Sequence, residues 1–211
     1  MILVTGGAGF IGSCIVAALN EAGRNDIAVN DFVGSEGKWR NLAKARLADF
    51  VPPSDLMAWL DGRKLDAVIH MGAISDTTAS DGDLVIETNF RLSLRLLDWC
   101  TAAKVPFIYA SSAATYGDGE AGFDDDWSLE SLNKLKPLNL YGWSKHLFDM
   151  AVAERAPWES LGTFGCCTGH ENGRHRGNPW LSTQKPRQGR PIGLSDSASI
   201  ARAPCVGMGD G

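Results

Sequence analysis

The chain predicts a doubly wound α/β fold, a parallel sheet covered by helices, and three observations predict it. A glycine-rich turn follows an apolar strand at the start, apolar strands alternate with helical patterns, and a serine-bearing strand end precedes a Tyr-x-x-x-Lys segment. Strand signals recur at 1–5, 27–31, 65–71 and 105–111, with helical patterns from Phe10 to Ala22 and from Leu84 to Ala103. Strands that alternate with helices run parallel, because each crossover carries the chain back to start the next strand in the same direction. Runs such as Leu65-Asp66-Ala67-Val68-Ile69 and Val105-Pro106-Phe107-Ile108-Tyr109 are almost continuously apolar. Burial on both faces of a sheet requires that.

The first element carries chemistry. Residues 3 to 12 read Leu-Val-Thr-Gly-Gly-Ala-Gly-Phe-Ile-Gly and open directly into a helix. Gly6 and Gly7 let the chain leave the strand sharply, Gly9 lets backbone N–H groups approach a pyrophosphate, and Gly12 lets the helix pack close to the sheet. A dinucleotide is the expected ligand. Ile27 to Asn30 is a short apolar strand ending at Asp31, nineteen residues after Gly12. A carboxylate there can accept hydrogen bonds from an adenosine ribose.

The next strands are read unevenly. In the long helical pattern Leu92, Leu94, Leu96, Leu97 and Trp99 belong to the core. Residues 32 to 60 show no clear third strand, and Lys44 to Phe50 reads as helical. No internal repeat is present.

A second cluster, Tyr141-Gly-Trp-Ser-Lys145, begins the helical pattern that continues from His146 to Arg155. Positions four apart share a helix face, so Tyr141 and Lys145 can address one ligand. An ammonium beside a phenol stabilises the phenolate, the form a general base needs, and the lysine can also donate to a ribose. Ala110-Ser-Ser-Ala-Ala-Thr-Tyr-Gly117 adds a hydroxyl just after the strand at 105–111. Sites in open α/β sheets lie at such carboxyl ends.

Composition narrows the classes. The chain has 211 residues, 44% of them hydrophobic, enough for one substantial core. No run approaches the roughly 18 apolar residues that span a bilayer. Residues 1 to 12 read as strand and turn rather than as a signal peptide. The five cysteines (Cys14, Cys100, Cys166, Cys167 and Cys205) are odd in number and lack paired spacing, so neither a disulfide framework nor a zinc site is expected. A reducing cytoplasm fits that usage. A net charge of −5 speaks against a nucleic-acid surface. The Asp124-Asp125-Asp126 run is a solvated loop with no second acidic cluster in reach, and no metal is expected.

Together these segments make the chain resemble the extended short-chain dehydrogenase/reductases of the sugar-nucleotide epimerase and dehydratase group. The likeness is carried by Val4 to Ser13, by Asp31 with Lys38 and Asn41-Leu42, by Ile69-His-Met-Gly-Ala-Ile-Ser-Asp-Thr-Thr78, by Tyr109 to Gly117 and by Pro137 to Lys145. It covers residues 1 to about 155 and implies a Rossmann-like NAD(P)-binding domain over 1–156. The stretch His70 to Thr78 and the double alanine before Thr115 point to the branch that inverts C6 of an ADP-linked heptose.

Residue by residue, the resemblance implies that Gly6, Gly9, Phe10, Ile11 and Gly12 meet the pyrophosphate. Asp31, Phe32 and Lys38 would surround the adenosine ribose. Met71, Gly72, Ala73, Ile74, Ser75 and Asn89 would line the path to the nicotinamide. It makes Tyr141 the base, with Lys145 and Ser112 as its partners, both Tyr141 and Lys145 also touching the cofactor. Ser112 would bind substrate, and Thr115 would either add a substrate hydrogen bond or serve to cap the turn. The implied cofactor is NADP, with Lys38 meeting a 2′-phosphate, although Asp31 alone favours the free 2′-OH of NAD. A nucleotide sugar is the implied substrate and a homo-oligomer the implied assembly.

From Pro157 the texture changes. Residues 1–156 hold 14 Lys and Arg against 21 Asp and Glu, whereas 157–211 hold 6 against 4. Of the last 55 residues, 15 are Gly or Pro and only 7 are Val, Ile, Leu or Phe. Such a composition does not pack a domain. It predicts an atypical tail, disordered or out of frame, where the family carries its substrate domain. His175-Arg176-Gly177 only faintly echoes the segment in which the family has a second acid/base lysine, by chance rather than homology, and arginine stays protonated at neutral pH, so no second acid/base is assigned. Two other readings stand beside the heptose epimerase: another sugar-nucleotide epimerase or dehydratase, and a non-catalytic dinucleotide-binding remnant.

Overall fold

The computed structural model describes residues 1–124 and 126–155; Asp125 and residues 156–211, with the expectations attached to them, lie outside the described residues. Five strands form one parallel sheet: β1 (Ile2–Thr5), β2 (Ile27–Asn30), β3 (Asp49–Val51), β4 (Ala67–His70) and β5 (Phe107–Tyr109). Their order is β3-β2-β1-β4-β5, and every pairing is parallel. The chain therefore moves outward from β1 in both directions, which opens a crevice at the carboxyl ends beside β1.

The helices are α1 (Phe10–Glu21), α2 (Leu56–Leu60), α3 (Gly82–Val85), α4 (Leu92–Ala103), α5 (Leu129–Leu132) and α6 (Leu140–Arg155). Between α3 and α4 the chain continues as a π-helical stretch, Ile86–Arg91, so the predicted helix from Leu84 to Ala103 is one run with a widened turn. Burial splits by the two-residue period of β1. Leu3 joins Val68, Leu96, Leu97, Phe107, Phe148 and Val152 on one face, while Ile2 and Val4 join Val16, Leu19, Ile27 and Val29 on the other. That is the two-sided core the apolar runs predict. Leu92, Leu94 and Trp99 pack against the first cluster from its edge.

One expectation fails. Lys44 to Phe50 is not helical: a 3₁₀ turn spans Lys38–Leu42, and Asp49–Val51 pairs with Ala28–Asn30 as β3. The missed strand is three residues long and its side chains run from partly exposed to buried without a repeating pattern. Pairing with β2 decides its state, and no periodicity records that.

The register sets one row of residues level across the carboxyl edge. Val51 lies opposite Asn30, Asn30 opposite Thr5, Thr5 opposite His70, and His70 opposite Tyr109. All five are buried. The four that are polar anchor the loops in which the candidate site residues sit.

Candidate active site

The glycine turn comes first. Gly9 precedes α1 without any side-chain cap, and the first turn carries no acidic residue, so the helix presents bare N–H groups to the crevice. A Cβ on Gly12 would stand 2.2 Å from the Gly6 carbonyl oxygen, a contact only glycine permits. Phe10 and Ile11 point outward beside this terminus, 70% and 52% exposed. An uncapped helix N-terminus between apolar flanks is a seat for a phosphate.

Asp31 sits at the end of β2 and is buried. One oxygen accepts the Ala8 N–H at 2.9 Å. The other accepts the Phe32 N–H at 2.7 Å and the Lys38 ammonium at 2.5 Å. Asn41 donates to the Ala8 carbonyl at 2.8 Å. Asp31 and Asn41 thus hold Ala8 from both sides and fix the glycine turn. Phe32 is exposed beside them.

A chain of buried hydrogen bonds joins this turn to the other half of the site. Gly72 N–H donates to Thr5 Oγ1 at 3.1 Å, and Thr5 Oγ1 lies 2.6 Å from His70 Nδ1. His70 Nε2 lies 2.8 Å from Ser93 Oγ, which donates to the Asn89 carbonyl at 2.6 Å. A carbonyl only accepts, so the Ser93 proton is committed, and its oxygen must accept from Nε2–H. Nδ1 then accepts from Thr5. Burial pushes the His70 imidazole down to about 3, so it is neutral in this tautomer.

Asn89 lies in the π-helical stretch and is fully buried. Its amide accepts the Ile74 N–H at 2.8 Å and donates to the Ile74 carbonyl at 2.9 Å and to Ser144 Oγ at 3.0 Å. The side chain thus holds Ile74 and Ser144 along the loop expected to line the cofactor path. Met71, Gly72, Ala73 and Ile74 are half-buried along the loop it fixes, and Ser75 is exposed.

Helix α6 brings the remaining residues. Asn139 caps it, accepting the Gly142 N–H at 2.7 Å. Tyr141, Lys145, Phe148, Asp149 and Val152 recur at helical spacing, and the last four are buried. Phe148 meets the Tyr109 ring edge-on at 4.8 Å, a contact worth about 0.5–1.5 kcal/mol beyond its area. A Cβ on Gly142 would lie 2.6 Å from the Ala114 carbonyl, so the helix approaches the turn after β5 as closely as backbone allows. Tyr141 is half-buried.

In that turn Ser112 Oγ accepts the Ala114 N–H at 3.2 Å, capping a 3₁₀ turn over Ala113–Tyr116 and leaving its own proton free to donate. Ser111 Oγ instead donates to Asp149 at 2.5 Å. Thr115 is buried and donates to the Ser112 carbonyl at 2.7 Å. Its hydroxyl proton is thereby committed to the turn, and its oxygen keeps a lone pair for a further donor.

Lys145 is 4% exposed and Asp149 2%. Burial holds the Lys145 ammonium down to about 8 against the opposing pull of Asp149. Burial pushes Asp149 up to about 6, opposed by Ser111, Lys145 and Tyr109. Among the described residues no hydrogen bond reaches the Lys145 ammonium, so its donors remain for a ligand.

The sequence reading missed Asp149 and the part His70 plays. Asp149 follows Lys145 by four and Tyr141 by eight, so a carboxylate on the helix face that carries both, with Phe148 and Val152, was the available signal. Among the described residues no His, Cys, Asp and Glu grouping could hold a metal, and no helix is long and apolar enough to cross a membrane.

A parallel 3-2-1-4-5 sheet with an uncapped helix N-terminus after β1 and a Tyr-x-x-x-Lys helix beside β5 defines a Rossmann-like, dinucleotide-binding class of domain. The chain belongs to the NAD dependent epimerase/dehydratase family, whose model matches residues 2–170. It is 48% identical over 153 residues to an ADP-L-glycero-D-manno-heptose-6-epimerase of Fusobacterium nucleatum, covering 71% of this chain and 46% of that protein. It is 49% identical over 154 residues to the enzyme so named in Nitratidesulfovibrio vulgaris, covering 71% and 47%. The chain thus spans about half the length of the curated relatives it matches.

Solved structures agree. The crystal structure of Helicobacter pylori ADP-L-glycero-D-manno-heptose-6-epimerase superposes with a TM-score of 0.64 at 31% identity, over 78% of this chain and 53% of that one. A UDP-glucose 4-epimerase from Brucella ovis in complex with NAD gives 0.58 at 26% identity, over 78% and 50%.

Proposed function

We propose that the chain is an isomerase that inverts C6 of ADP-D-glycero-D-manno-heptose, giving the L-glycero epimer used for the lipopolysaccharide core, with bound NADP. The observation that carries this is the closure of α6 onto the Ser112 turn, which sets Tyr141 and Lys145 on one helix face beside a free serine proton. The named relatives supply the substrate class.

The residues present fit the cofactor. The bare N-terminus of α1, with Gly6, Gly9, Phe10, Ile11 and Gly12, would hold the pyrophosphate, and the unengaged Lys145 ammonium would hold the nicotinamide ribose. Lys38 would meet a 2′-phosphate, and by pairing with Asp31 it already offsets the charge such a phosphate would face. NAD, with its 2′-OH on Asp31, is the other occupant this site admits. Bound, the nicotinamide supplies a hydride acceptor that returns the hydride, so no net redox change results.

The chain's own residues manage the proton. Tyr141 takes it from the substrate hydroxyl at C6 and gives it back after the sugar has presented its other face. Lys145 stabilises the phenolate that forms. Ser112 donates a hydrogen bond to the same oxygen, shaping charge as it develops.

A second reading is dinucleotide binding without turnover, which the composition of residues 157–211 favours. One assay separates them: purified chain with ADP-D-glycero-D-manno-heptose and NADP, followed by NMR at C6. Inversion supports the epimerase. Cofactor binding without inversion leaves the second reading.

A further inference from the structure

We propose that Asp149 is a positioning residue of this site: one carboxylate, a helical turn from Lys145, that ties the turn after β5 to α6 and favours the charged form of that lysine. The inference rests on the reading of Tyr141, Lys145 and Ser112 as the reacting set.

The geometry is that of a ladder. Tyr141, Lys145 and Asp149 occupy successive turns of one helix face. The first is half-buried and the other two are buried, on the face that also carries Phe148 and Val152. A carboxylate in apolar surroundings is tolerated only when its oxygens find donors. Here Tyr109 OH donates to one oxygen at 3.0 Å and Ser111 Oγ to the other at 2.5 Å. Both come from β5 and the residues just after it, so a single side chain holds strand and helix in register.

The same bonds separate two neighbouring serines. Ser111 has its proton committed to Asp149, whereas the Ser112 proton stays free. The carboxylate thereby selects which hydroxyl addresses a substrate.

The charge has a second use. Lys145 has no hydrogen bond among the described residues, and the groups that act on it are Asp149 from its own helix and His70 from β4. His70 is neutral and bonded at both ring nitrogens. Tyr109 and Ser111, facing from the β5 side, are donors to the carboxylate and carry no charge. Asp149 is therefore the group that favours the protonated lysine.

The test is an NMR titration of the full chain and of Asp149→Asn, following Lys145 through its side-chain ¹³Cε resonance, with NADPH affinity measured by calorimetry at acidic and alkaline pH. Asparagine keeps the size and an acceptor and removes the charge. The Lys145 midpoint should fall by about one pH unit, and alkaline NADPH affinity should drop about tenfold while acidic affinity holds. A folded Asp149→Asn chain with an unmoved Lys145 midpoint overturns the proposal. If the unaltered chain binds neither NADPH nor NADH, the cofactor reading fails, yet the lysine titration still decides the role of Asp149. Should the variant not fold, the unaltered chain decides. Lys145 ¹³Cε and Asp149 ¹³Cγ will each carry an inflection at the other's midpoint, and independent single-step curves overturn the proposal.

Discussion

The two halves of the crevice are built from different materials. On the β1–β2 side the proposed ligand seat is backbone: a glycine turn, the N–H groups of α1, and two side chains, Asp31 and Asn41, whose bonds to Ala8 hold that backbone still. On the β4–β5 side the seat is side chain: Lys145 and Asp149 buried in a helix face, with Tyr141 and Ser112 at its mouth. A backbone site costs little beyond the glycines it needs. A site of buried ions sacrifices stability, since each charge leaves water. The contrast teaches that the first half is rigid by construction and the second is held by a balance of charges.

The largest expected effect strikes the side-chain half. Tyr141→Phe removes the proposed base, and C6 inversion should fall by about 10³-fold, within the usual span for lost acid–base catalysis. Calorimetry should find cofactor affinity reduced far less, because the backbone half is intact and only one hydroxyl contact is lost. Equal loss of both would erase the division.

Gly12→Ala tests the backbone half. The added methyl meets the Gly6 carbonyl oxygen, which is backbone and has little room to yield. Overpacking there should cost about 1–3 kcal/mol in urea unfolding, and dinucleotide binding should be lost while the chain remains folded.

The buried charges should show in the pH dependence of stability. Asp149 is pushed up to about 6 from 3.8, so between those values the folded chain holds the extra proton and stability falls as pH rises. Lys145 is pushed down to about 8 from 10.5, so between those values the unfolded chain holds the extra proton and stability rises with pH. Stability contributed by these two groups is thus lowest between about 6 and about 8, where both are charged. Urea midpoints of Lys145→Met should lose the alkaline rise. The double variant Lys145→Met with Asp149→Asn should match or exceed the parent near neutrality, by up to about 1–4 kcal/mol, because neither charge is then buried.

The smallest effect separates the cofactors. Lys38→Met should cut NADPH affinity about tenfold, roughly 1.4 kcal/mol, and leave NADH affinity nearly unchanged or improved. An equal loss for both would mean that Lys38 serves only to steady Asp31.

How far the sequence spoke follows the same division. Gly6, Gly9, Gly12 and Asp31 are legible because a turn against a helix N-terminus demands fixed residue types at fixed spacing. Tyr141 and Lys145 are legible because four residues make one helical turn. Asp149 was passed over because it resembles any other helix carboxylate until its donors, 38 and 40 residues earlier, are brought to it. The bonds of Asn89 to Ile74 and of Thr115 to the Ser112 carbonyl were not legible, because side-chain type says nothing about which neighbour takes the hydrogen bond. β3 was hidden because three residues pair for reasons that lie in β2.

The π-helical stretch Ile86–Arg91 has a consequence for how this segment can vary. A π turn accommodates one residue more than an α turn, and removing any single residue there would relax it to regular helix. The residues beyond would keep their phase, with Leu96, Leu97 and Cys100 still on the core, while the local rearrangement would carry Asn89 away from Ile74. Substitutions on its outer face are cheap, but a one-codon deletion is not, so the length of this stretch should be inherited more strictly than its letters.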